Sequence, residues 1–459
     1  MTDRQRLGAR VGRSVLRALA RGKEHGGLAR VYASIPFAWR LALRRWVHAA
    51  AGVPMPPLPF PTAAARSLDP RALHGAGPGV NLLGYARGEF GIGQNVRSYA
   101  RALDSIHHPF SIFNFDVGHA SRQQDHSMDR FVSDRLDYAC NVFFINADQL
   151  PIARHVLGRN AFAGRHNVGF WVWELERFPR DWRTAFRLVD EIWCPTEFVR
   201  TAIAAATDKP VLRMPKAIEF DVPLEMNRAR FGLPPDEFVF LFSFDFNSFV
   251  ARKNPEAVIA AFRQAFADGT RGVRLLIKST NGERCRDRLD ALRREVADDP
   301  RIEVRDGFLS RDEMFGLQGV ADCYVSLHRS EGYGLGMAES MYLGKPVIAT
   351  RYSGNLDFMN DENSLLVDFT MVPLRRGDYP YWQGQSWAEA DAAHASKLMR
   401  RVFDNPAFAT ELGARAAASI RRTHSRAACA EAVRNRLLEI DRERAGQAAG
   451  PDAKRRQTT

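Results

Sequence analysis

The sequence predicts an α/β protein made of two units in series, each a parallel β-sheet covered by helices. Short apolar runs, typical of buried strands, alternate with helical patterns along most of the chain. This alternation occurs in two successive sets, and 459 residues are too many for one ordinary hydrophobic core. The 45% of hydrophobic and 26% of charged residues are typical of a globular protein. We therefore expect two domains with a ligand cleft between them.

The first element is a basic helical extension, residues 1–50. It holds eleven Lys and Arg residues against Asp3 and Glu24, a net charge of +9. Its stretch "PFAWRLALRRWVHAA" places Trp39 and Trp46 on one face of a helix, and a basic amphipathic helix with tryptophan suits an anionic membrane surface. Two alternatives stay open: the helices dock on the body of the protein, or the arm is an Arg-rich organelle transit peptide.

Residues 51–75 are predicted to be a linker, since the five prolines of "GVPMPPLPFPTAAA" favour an extended tether. At the other end, residues 446–459 carry a net +2 and are predicted to be a disordered tail. Of the total charge of +12, only about +1 is left for the body, so we expect no nucleic-acid groove there.

The location of the protein is predicted from three features of the sequence. No run of eighteen apolar residues exists, and the N-terminus lacks the apolar core of a secretory signal. The five cysteines are scattered and form no C-x-x-C pair, which favours a reducing compartment and argues against a metal site. We expect a cytoplasmic protein that associates peripherally with the inner face of the membrane through residues 1–50.

Two α/β domains are expected, over residues 76–220 and 221–425. The strands predicted in the first are "VNLLGY" (80–85), "NVFFINA" (141–147), "NVGFWVW" (167–173) and "EIWCP" (191–195). Those predicted in the second are "FVFLFSFD" (238–245), "VRLLIKS" (273–279), "IEVRDGF" (302–308), "DCYVSLH" (322–328) and "KPVIAT" (345–350). Residues 393–445 are predicted to be helical, with 426–445 returning toward the first domain.

The stretch "SEGYGLGMAESMYLGKPVIAT" (330–350) follows a buried strand and leads into a short helix with a predicted stop at Gly344. Glycines let a backbone approach a ligand closely, and a helix N-terminus suits a phosphate. Glu339 can accept hydrogen bonds from the hydroxyls of a ribose, and Glu331 from those of a second sugar, which together indicate a nucleotide-sugar. The alternative is a plain strand–turn–helix junction with solvated glutamates.

The segment from Glu331 to Glu339, with "GYGLGMA" inside and "GKPVIAT" after, resembles the donor-site signature of the retaining family 4 glycosyltransferases, which have the GT-B fold of two Rossmann-like domains. "ARKNPEAVIAAF" (251–262) resembles the phosphate-lysine segment of that family. The resemblance covers roughly residues 79–425 and leaves the first 75 residues unexplained.

By this resemblance Glu339 binds the ribose of the donor, Glu331 the transferred sugar and Lys253 the departing diphosphate. Arg252 is the natural second cation, although the commoner family pattern has an arginine where this chain has Ser248. The amides around Gly334 and Leu335 are expected at the phosphates. The remaining donor-binding candidates are the loop residues Ser330, Gly332 and Tyr333, together with Gly91 and Gly93 of the first-domain glycine loop "GEFGIG". For the Arg–Lys pair, an exposed helix start is the alternative.

Acceptor-binding candidates follow strands of the first domain: Asn146, Asp148, Trp173 and Glu174. The tryptophan can stack on a sugar, but core packing is an equal alternative. No D-x-D occurs in the chain, so we expect no metal and no other cofactor. The predicted activity is transfer of a hexose, guessed as mannose or rhamnose, to a saccharide acceptor that is lipid-linked, in bacterial surface-polysaccharide or lipopolysaccharide synthesis. A non-catalytic sugar-binding scaffold, or another GT-B enzyme such as a nucleotide-sugar epimerase, is the alternative.

Overall fold

The structure, a computed structural model, describes residues 77–117, 122–222 and 227–448. The predicted extension 1–50, the linker 51–75 and most of the predicted tail 446–459 lie outside the described residues. Within those ranges, no helix combines the length and the apolar character that crossing a bilayer requires.

The first sheet has six strands in the order β2-β1-β3-β4-β5-β6. Its strands are β1 (Gly77–Gly84), β2 (Phe110–Asn114), β3 (Tyr138–Phe144), β4 (His166–Phe170), β5 (Glu191–Cys194) and β6 (Val211–Arg213). Helices α1 (Gly91–Ser105), α2 (Leu150–Leu157) and α3 (Glu197–Ala204) alternate with them along the chain. Strand β1 pairs in parallel with β2 on one side and β3 on the other, so the winding of the chain reverses between β1 and β3.

The second sheet also has six parallel strands, in the order β12-β11-β10-β7-β8-β9. They are β7 (Phe238–Asp245), β8 (Val273–Thr280), β9 (Ile302–Asp306), β10 (Cys323–Ser326), β11 (Val347–Thr350) and β12 (Leu365–Val367). The helices between them are α4 (Val250–Lys253), α5 (Pro255–Ala265), α6 (Arg286–Glu295), α7 (Arg311–Val320) and α8 (Leu335–Tyr342). This order is that of doubly wound nucleotide-binding sheets, with the winding reversed between β7 and β10.

Helices α7 and α8 owe their ends to particular residues. A reciprocal capping box between Ser310 and Glu313 starts α7. Helix α8 begins after Gly334, whose φ of 96° is unfavourable for other residues, and it is followed by Gly344 with a φ of 76°. The predicted stop at Gly344 is confirmed.

The C-terminal part begins with an antiparallel hairpin of β13 (Phe369–Pro373) and β14 (Ser386–Ala390), joined by residues 374–385. Helices α9 (Ala392–Asp404), α10 (Pro406–Thr423) and α11 (Arg426–Ala448) follow. The helical prediction for 393–445 is therefore confirmed, whereas the sequence did not predict β2, β6, β12 or the hairpin.

The described chain divides into two compact units. One comprises the residues up to Arg97, Pro109–Phe170 and Pro179–Ile192; the other comprises Ser98–His108, Trp171–Phe178 and the residues from Trp193 on. The domain boundaries at residues 220 and 425 stay predictions. In the second unit, apolar side chains of β7, β8 and β10 pack against α5 and α9 on one face of the second sheet. The apolar side chains that point to the other face pack against α8 and α10.

Candidate functional site

The predicted cations and Glu331 come from the two loops on either side of the switch point in the second sheet. Strands β7 and β10 are parallel neighbours. The loop after β7 leads into α4, which carries Arg252 and Lys253, and the loop after β10 carries Glu331. Ligands of doubly wound sheets bind outside the carboxyl ends of the strands at such a switch point.

Glu331 lies between the two cations in a buried ion cluster. Its Oε1 accepts a hydrogen bond from Lys253 Nζ, and its Oε2 lies 3.0 Å from Arg252 Nη1. Arg252 and Glu331 are only 5% and 8% exposed, which excludes the alternatives of an exposed cation pair and of a solvated glutamate at this position. Two cations share one carboxylate, so the cluster has an excess positive charge that suits an anionic ligand.

Electrostatics keeps Glu331 charged despite its burial. Burial on its own raises the pKa of this carboxyl, but Arg252 and Lys253 outweigh that effect and hold the pKa well below its usual range. Burial also lowers the pKa of Lys253, and this effect exceeds the opposite effect of Glu331. We conclude that the ammonium of Lys253 is poorly solvated, and that a second anion would stabilise it.

Helix α4 is held by hydrogen bonds from the β10 loop and from β14. The backbone N–H of Arg329 donates to Arg252 O (2.8 Å), and its side chain bonds Glu389 of β14 (2.7 Å). Asn254, in the left-handed region with φ 56°, donates to Leu327 O and to Glu389 Oε1, both at 3.0 Å. One donor remains unmet: Arg252 Nε is buried and has no hydrogen-bond partner among the described residues.

Glu339 lies on α8 and is 4% exposed, which again excludes a solvated side chain. Its Oε1 bonds Arg311 Nη2 at 2.5 Å, and its Oε2 lies 3.5 Å from Gln318 Nε2. Arg311 and Gln318 are on α7, so one helix orients the carboxylate carried by the next. Neither residue was predicted from the sequence, and no motif singles them out.

The glycine loop runs close to neighbouring chain segments. A Cβ on Gly332 would lie 2.4 Å from Val172 Cγ1, and one on Gly336 would lie 2.5 Å from Tyr324 Oη. Thr196 Oγ1 donates to Gly332 O at 2.9 Å. The first amides of α8, at Leu335 and Gly336, have no preceding turn to bond and are free for a ligand.

Two other loop residues differ in where their side chains point. Ser330 Oγ donates to Glu174 O at 2.5 Å, and Ser330 O accepts from Arg252 Nη1 at 2.8 Å. The ring of Tyr333 packs in the core, 5.2 Å from the ring of Phe358. Tyr333 can therefore contact a donor only through its backbone.

Near the ion cluster, the segment Trp171–Phe178 supplies two of the predicted acceptor residues. Trp173 is 2% exposed, and its ring lies 5.7 Å from that of Tyr379, so core packing describes the side chain. Glu174 is half-buried and its Oε2 accepts a hydrogen bond from Tyr379 Oη at 2.7 Å. Tyr379 was not predicted from the sequence, although the aromatic cluster "YPYW" (379–382) is a visible signal.

In the other unit, the predicted residues gather at the switch point between β1 and β3. A Cβ on Gly93 would lie 2.2 Å from Gly88 O, so glycine is needed there, whereas Gly91 has open space. Arg97 Nη1 fixes this turn by donating to Ala86 O and Gly88 O, both at 2.8 Å.

The polar residues after β3 lie at the same edge of that sheet. Asn146 O accepts from the first amides of the following helix, Gln149 N at 2.9 Å and Leu150 N at 3.0 Å. Asp148 Oδ2 accepts from Gln149 Nε2 at 2.9 Å. Both predicted residues are half-buried. Their acceptor role stays a prediction.

Over the same described ranges, no group of three or more His, Cys, Asp or Glu side chains could hold a metal ion.

Comparison with known proteins gives a family match and a fold. Residues 238–372 match the family described as Glycosyl transferases group 1. No curated protein matches the chain significantly in sequence. Sucrose-phosphate synthase from Thermosynechococcus elongatus has a similar structure, with a TM-score of 0.60 and 14% identity, over 80% of this chain and 100% of that one.

Two further solved structures are similar. HepE from Anabaena, in complex with UDP and glucose, has a TM-score of 0.56 and 13% identity, over 79% of this chain and 100% of that one. A glycosyltransferase from Rickettsia africae has a TM-score of 0.56 and 11% identity, over 79% of this chain and 98% of that one. The predicted GT-B fold is confirmed, and together with the group 1 glycosyltransferase domain at residues 238–372 it supports a glycosyltransferase.

Proposed function

We propose that the protein is a retaining glycosyltransferase that transfers a hexose from a nucleotide-diphosphate sugar to a saccharide, without a metal ion. The cluster of Arg252, Lys253 and Glu331 at the switch point of the second sheet carries the proposal. Breaking the bond between sugar and phosphate develops negative charge on the leaving diphosphate, and fixed cations in a buried site stabilise that charge. The unmet N–H of Arg252 and the first amides of α8 supply further donors.

Each part of the donor then has a partner. Glu339, oriented by Arg311 and Gln318, binds the ribose hydroxyls, and Glu331 binds the transferred hexose. Binding of the diphosphate places a second anion beside Lys253 and leaves Glu331 free to share its oxygens with the sugar. The UDP bound to HepE, which has the same fold, supports a donor of this class.

The chemical step follows from retention of configuration. The acceptor hydroxyl attacks the anomeric carbon on the face that the diphosphate leaves, and a phosphate oxygen takes the hydroxyl proton. The glycosidic bond forms as the sugar–phosphate bond breaks, so nucleoside diphosphate is the second product. Arg252 and Lys253 hold that product by its charge.

The acceptor and the cellular setting are proposed from the sequence. Asn146, Asp148 and Glu174 are the candidates for binding the acceptor, since the side chain of Trp173 is buried. We propose mannose or rhamnose as the hexose and a lipid-linked saccharide as the acceptor, in surface-polysaccharide or lipopolysaccharide synthesis. Residues 1–50 would hold the enzyme at the cytoplasmic face of an anionic membrane.

The experiment is a two-stage screen with full-length protein. UDP-, GDP- and dTDP-sugars are first ranked by thermal stabilisation, and release of nucleotide from the best donors is then measured with and without a panel of p-nitrophenyl glycosides. We expect release that depends on the glycoside and is lost in Lys253→Ala. Stabilisation without turnover would indicate a sugar-binding scaffold, and release without glycosylated product would indicate an epimerase. Neither stabilisation nor turnover with any donor would contradict the proposal.

A further inference from the structure

Residues 374–385, which connect β13 to β14, lie beyond the matched family domain and yet reach the ion cluster. The family match ends at residue 372, one residue before β13 ends at Pro373. Gln385 at the end of the connection accepts a hydrogen bond from Arg177 N (3.1 Å), which ties it to the segment that carries Glu174. The connection is therefore fixed against the proposed site.

Tyr379 is the residue of this connection that contacts the site. Its ring lies 4.8 Å from the ring of Phe249 and 6.0 Å from the guanidinium of Arg252. Its hydroxyl donates to Glu174 Oε2 at 2.7 Å. Burial and the charge of Glu174 raise the pKa of Tyr379 well above its usual value, so the phenol keeps its proton and stays a donor.

Glu174 has unused hydrogen-bonding capacity. Burial lowers the pKa of Lys253 and the charge of Glu174 opposes that effect, but both Arg252 and Lys253 pair with Glu331 instead. In the described part of the chain, Glu174 has no cation within ion-pair distance, and Tyr379 makes the hydrogen bond to its side chain. In the same described residues, the hydrogen bond to the carboxylate is made to Oε2, so Oε1 is available to a ligand hydroxyl.

Phe249 places an apolar surface next to Tyr379. It precedes α4, is 42% exposed and has a φ of 62°. The C–H face of a pyranose packs on an aromatic ring while its hydroxyls bond carboxylates. An exposed phenyl ring against Tyr379, whose hydroxyl bonds Glu174, therefore matches the chemistry of a saccharide.

We infer that Glu174, oriented by Tyr379, accepts a hydroxyl of the saccharide acceptor, and that Phe249 supports the sugar ring. The inference rests on the proposed function, in which Glu339 binds the ribose of the donor, the two cations bind its diphosphate and Glu331 binds its hexose. The bond from Ser330 Oγ to the backbone carbonyl of Glu174 ties the backbone of Glu174 to the residue before Glu331, so the acceptor lies next to the transferred sugar. Residues 374–385 then determine specificity for the acceptor.

The test compares Glu174→Gln and Tyr379→Phe with the unmodified protein. The matched control is Tyr352→Phe, which removes a phenol–carboxylate hydrogen bond of 3.0 Å to the exposed Glu176. Initial rates are measured at saturating nucleotide-sugar while the p-nitrophenyl glycoside that the unmodified protein uses best is varied, and at saturating glycoside while the nucleotide-sugar is varied. Thermal unfolding shows that each variant is folded.

We expect the KM for the glycoside to rise about tenfold in Glu174→Gln, because one hydrogen bond to a charged group is lost. In Tyr379→Phe we expect a rise of about threefold, because the carboxylate is then no longer oriented. The KM for the nucleotide-sugar should stay within about twofold in both variants, and Tyr352→Phe should match the unmodified protein. A merely structural role for Tyr379 would change both KM values or only the unfolding temperature.

The possible failures differ from one another. If the unmodified protein turns over the glycoside but the variants keep its KM, the inference is wrong and the proposed function stands. If the KM for the nucleotide-sugar rises instead, Glu174 belongs to the donor side and the inference is likewise wrong. If the unmodified protein turns over no donor, the proposed function fails, and the assignment of Glu174 fails with it.

Discussion

Replacing Glu331 by glutamine tests the ion cluster, because the change keeps the shape of the side chain and removes its charge. Arg252 and Lys253 would then be two buried cations without a carboxylate. Breaking a buried ion pair in this way costs about 3–5 kcal/mol, because an uncompensated charge stays buried. At about 2 °C per kcal/mol for a domain of this size, Tm should fall by about 6–10 °C.

The same variant should respond more strongly to a diphosphate. Inorganic pyrophosphate, UDP and GDP supply the negative charge that the glutamine lacks, so each should raise the Tm of Glu331→Gln by more than that of the unmodified protein. Differential scanning fluorimetry over a ligand series measures both effects. Turnover should fall, since a neutral amide accepts the hydroxyls of the transferred hexose more weakly than a carboxylate does.

The control is Glu303→Gln. Glu303 also joins two arginines, Arg305 and Arg274 (3.5 Å to Arg274 Nη1), but its side chain is 33% exposed. Solvent screening should limit its loss to about 1 kcal/mol. If Glu331→Gln unfolds within a degree of the unmodified protein, or binds UDP more than tenfold more weakly, the reasoning about the cluster is refuted.

Other expectations concern the donor site, the fold and the arm. Lys253→Ala should lower turnover about 10²-fold or more, while EDTA should leave the unmodified enzyme active; loss of activity in EDTA that Mg²⁺ reverses would reveal a metal site. Glu339→Ala should weaken nucleotide binding by calorimetry, and unchanged affinity would remove the ribose contact. Burial lowers the pKa of His424 to about 4, so protonation favours the unfolded chain. The contribution of neutral His424 to the free energy of unfolding is complete above about pH 6.5 and falls by about 2 kcal/mol on going to pH 5. The free energy of unfolding of His424→Gln, measured in urea, should lack that part of the pH dependence. An equal change with pH in both proteins would contradict the role of His424. Deleting residues 1–60 should abolish co-sedimentation with anionic vesicles and spare turnover; vesicle binding by the truncated protein would disprove the membrane role of the arm.

The central strands could be predicted because burial on both faces makes them continuous apolar runs. β7, predicted at 238–245, has those bounds in the structure. β6 and β12 were missed because three residues are too few to show a period. The hairpin β13–β14 was missed because half-exposed residues and intervening Gly and Pro hide its pattern.

The site could be predicted in part, where its residues lie close together in the sequence. Spacing and resemblance placed Glu331 in a loop and Glu339 in a helix, and both are there. Which residues pair with them depends on contacts that are distant in sequence, since Lys253 and Glu331 are 78 positions apart. The burial of the Tyr333 ring and the packing of Tyr379 against Trp173 depend on tertiary contacts, which no local pattern encodes.

The backbone of Phe249 has a consequence for attempts to stabilise the protein. With φ 62° and ψ 99°, this residue is in a region that a bulky side chain enters at a cost of about 1–3 kcal/mol. Glycine would relieve that strain for an entropy cost of only about 0.5–1 kcal/mol, so a selection for thermostability should favour glycine at position 249. The selected protein would lose the exposed ring beside Tyr379, and thermostability would then increase at the expense of acceptor recognition.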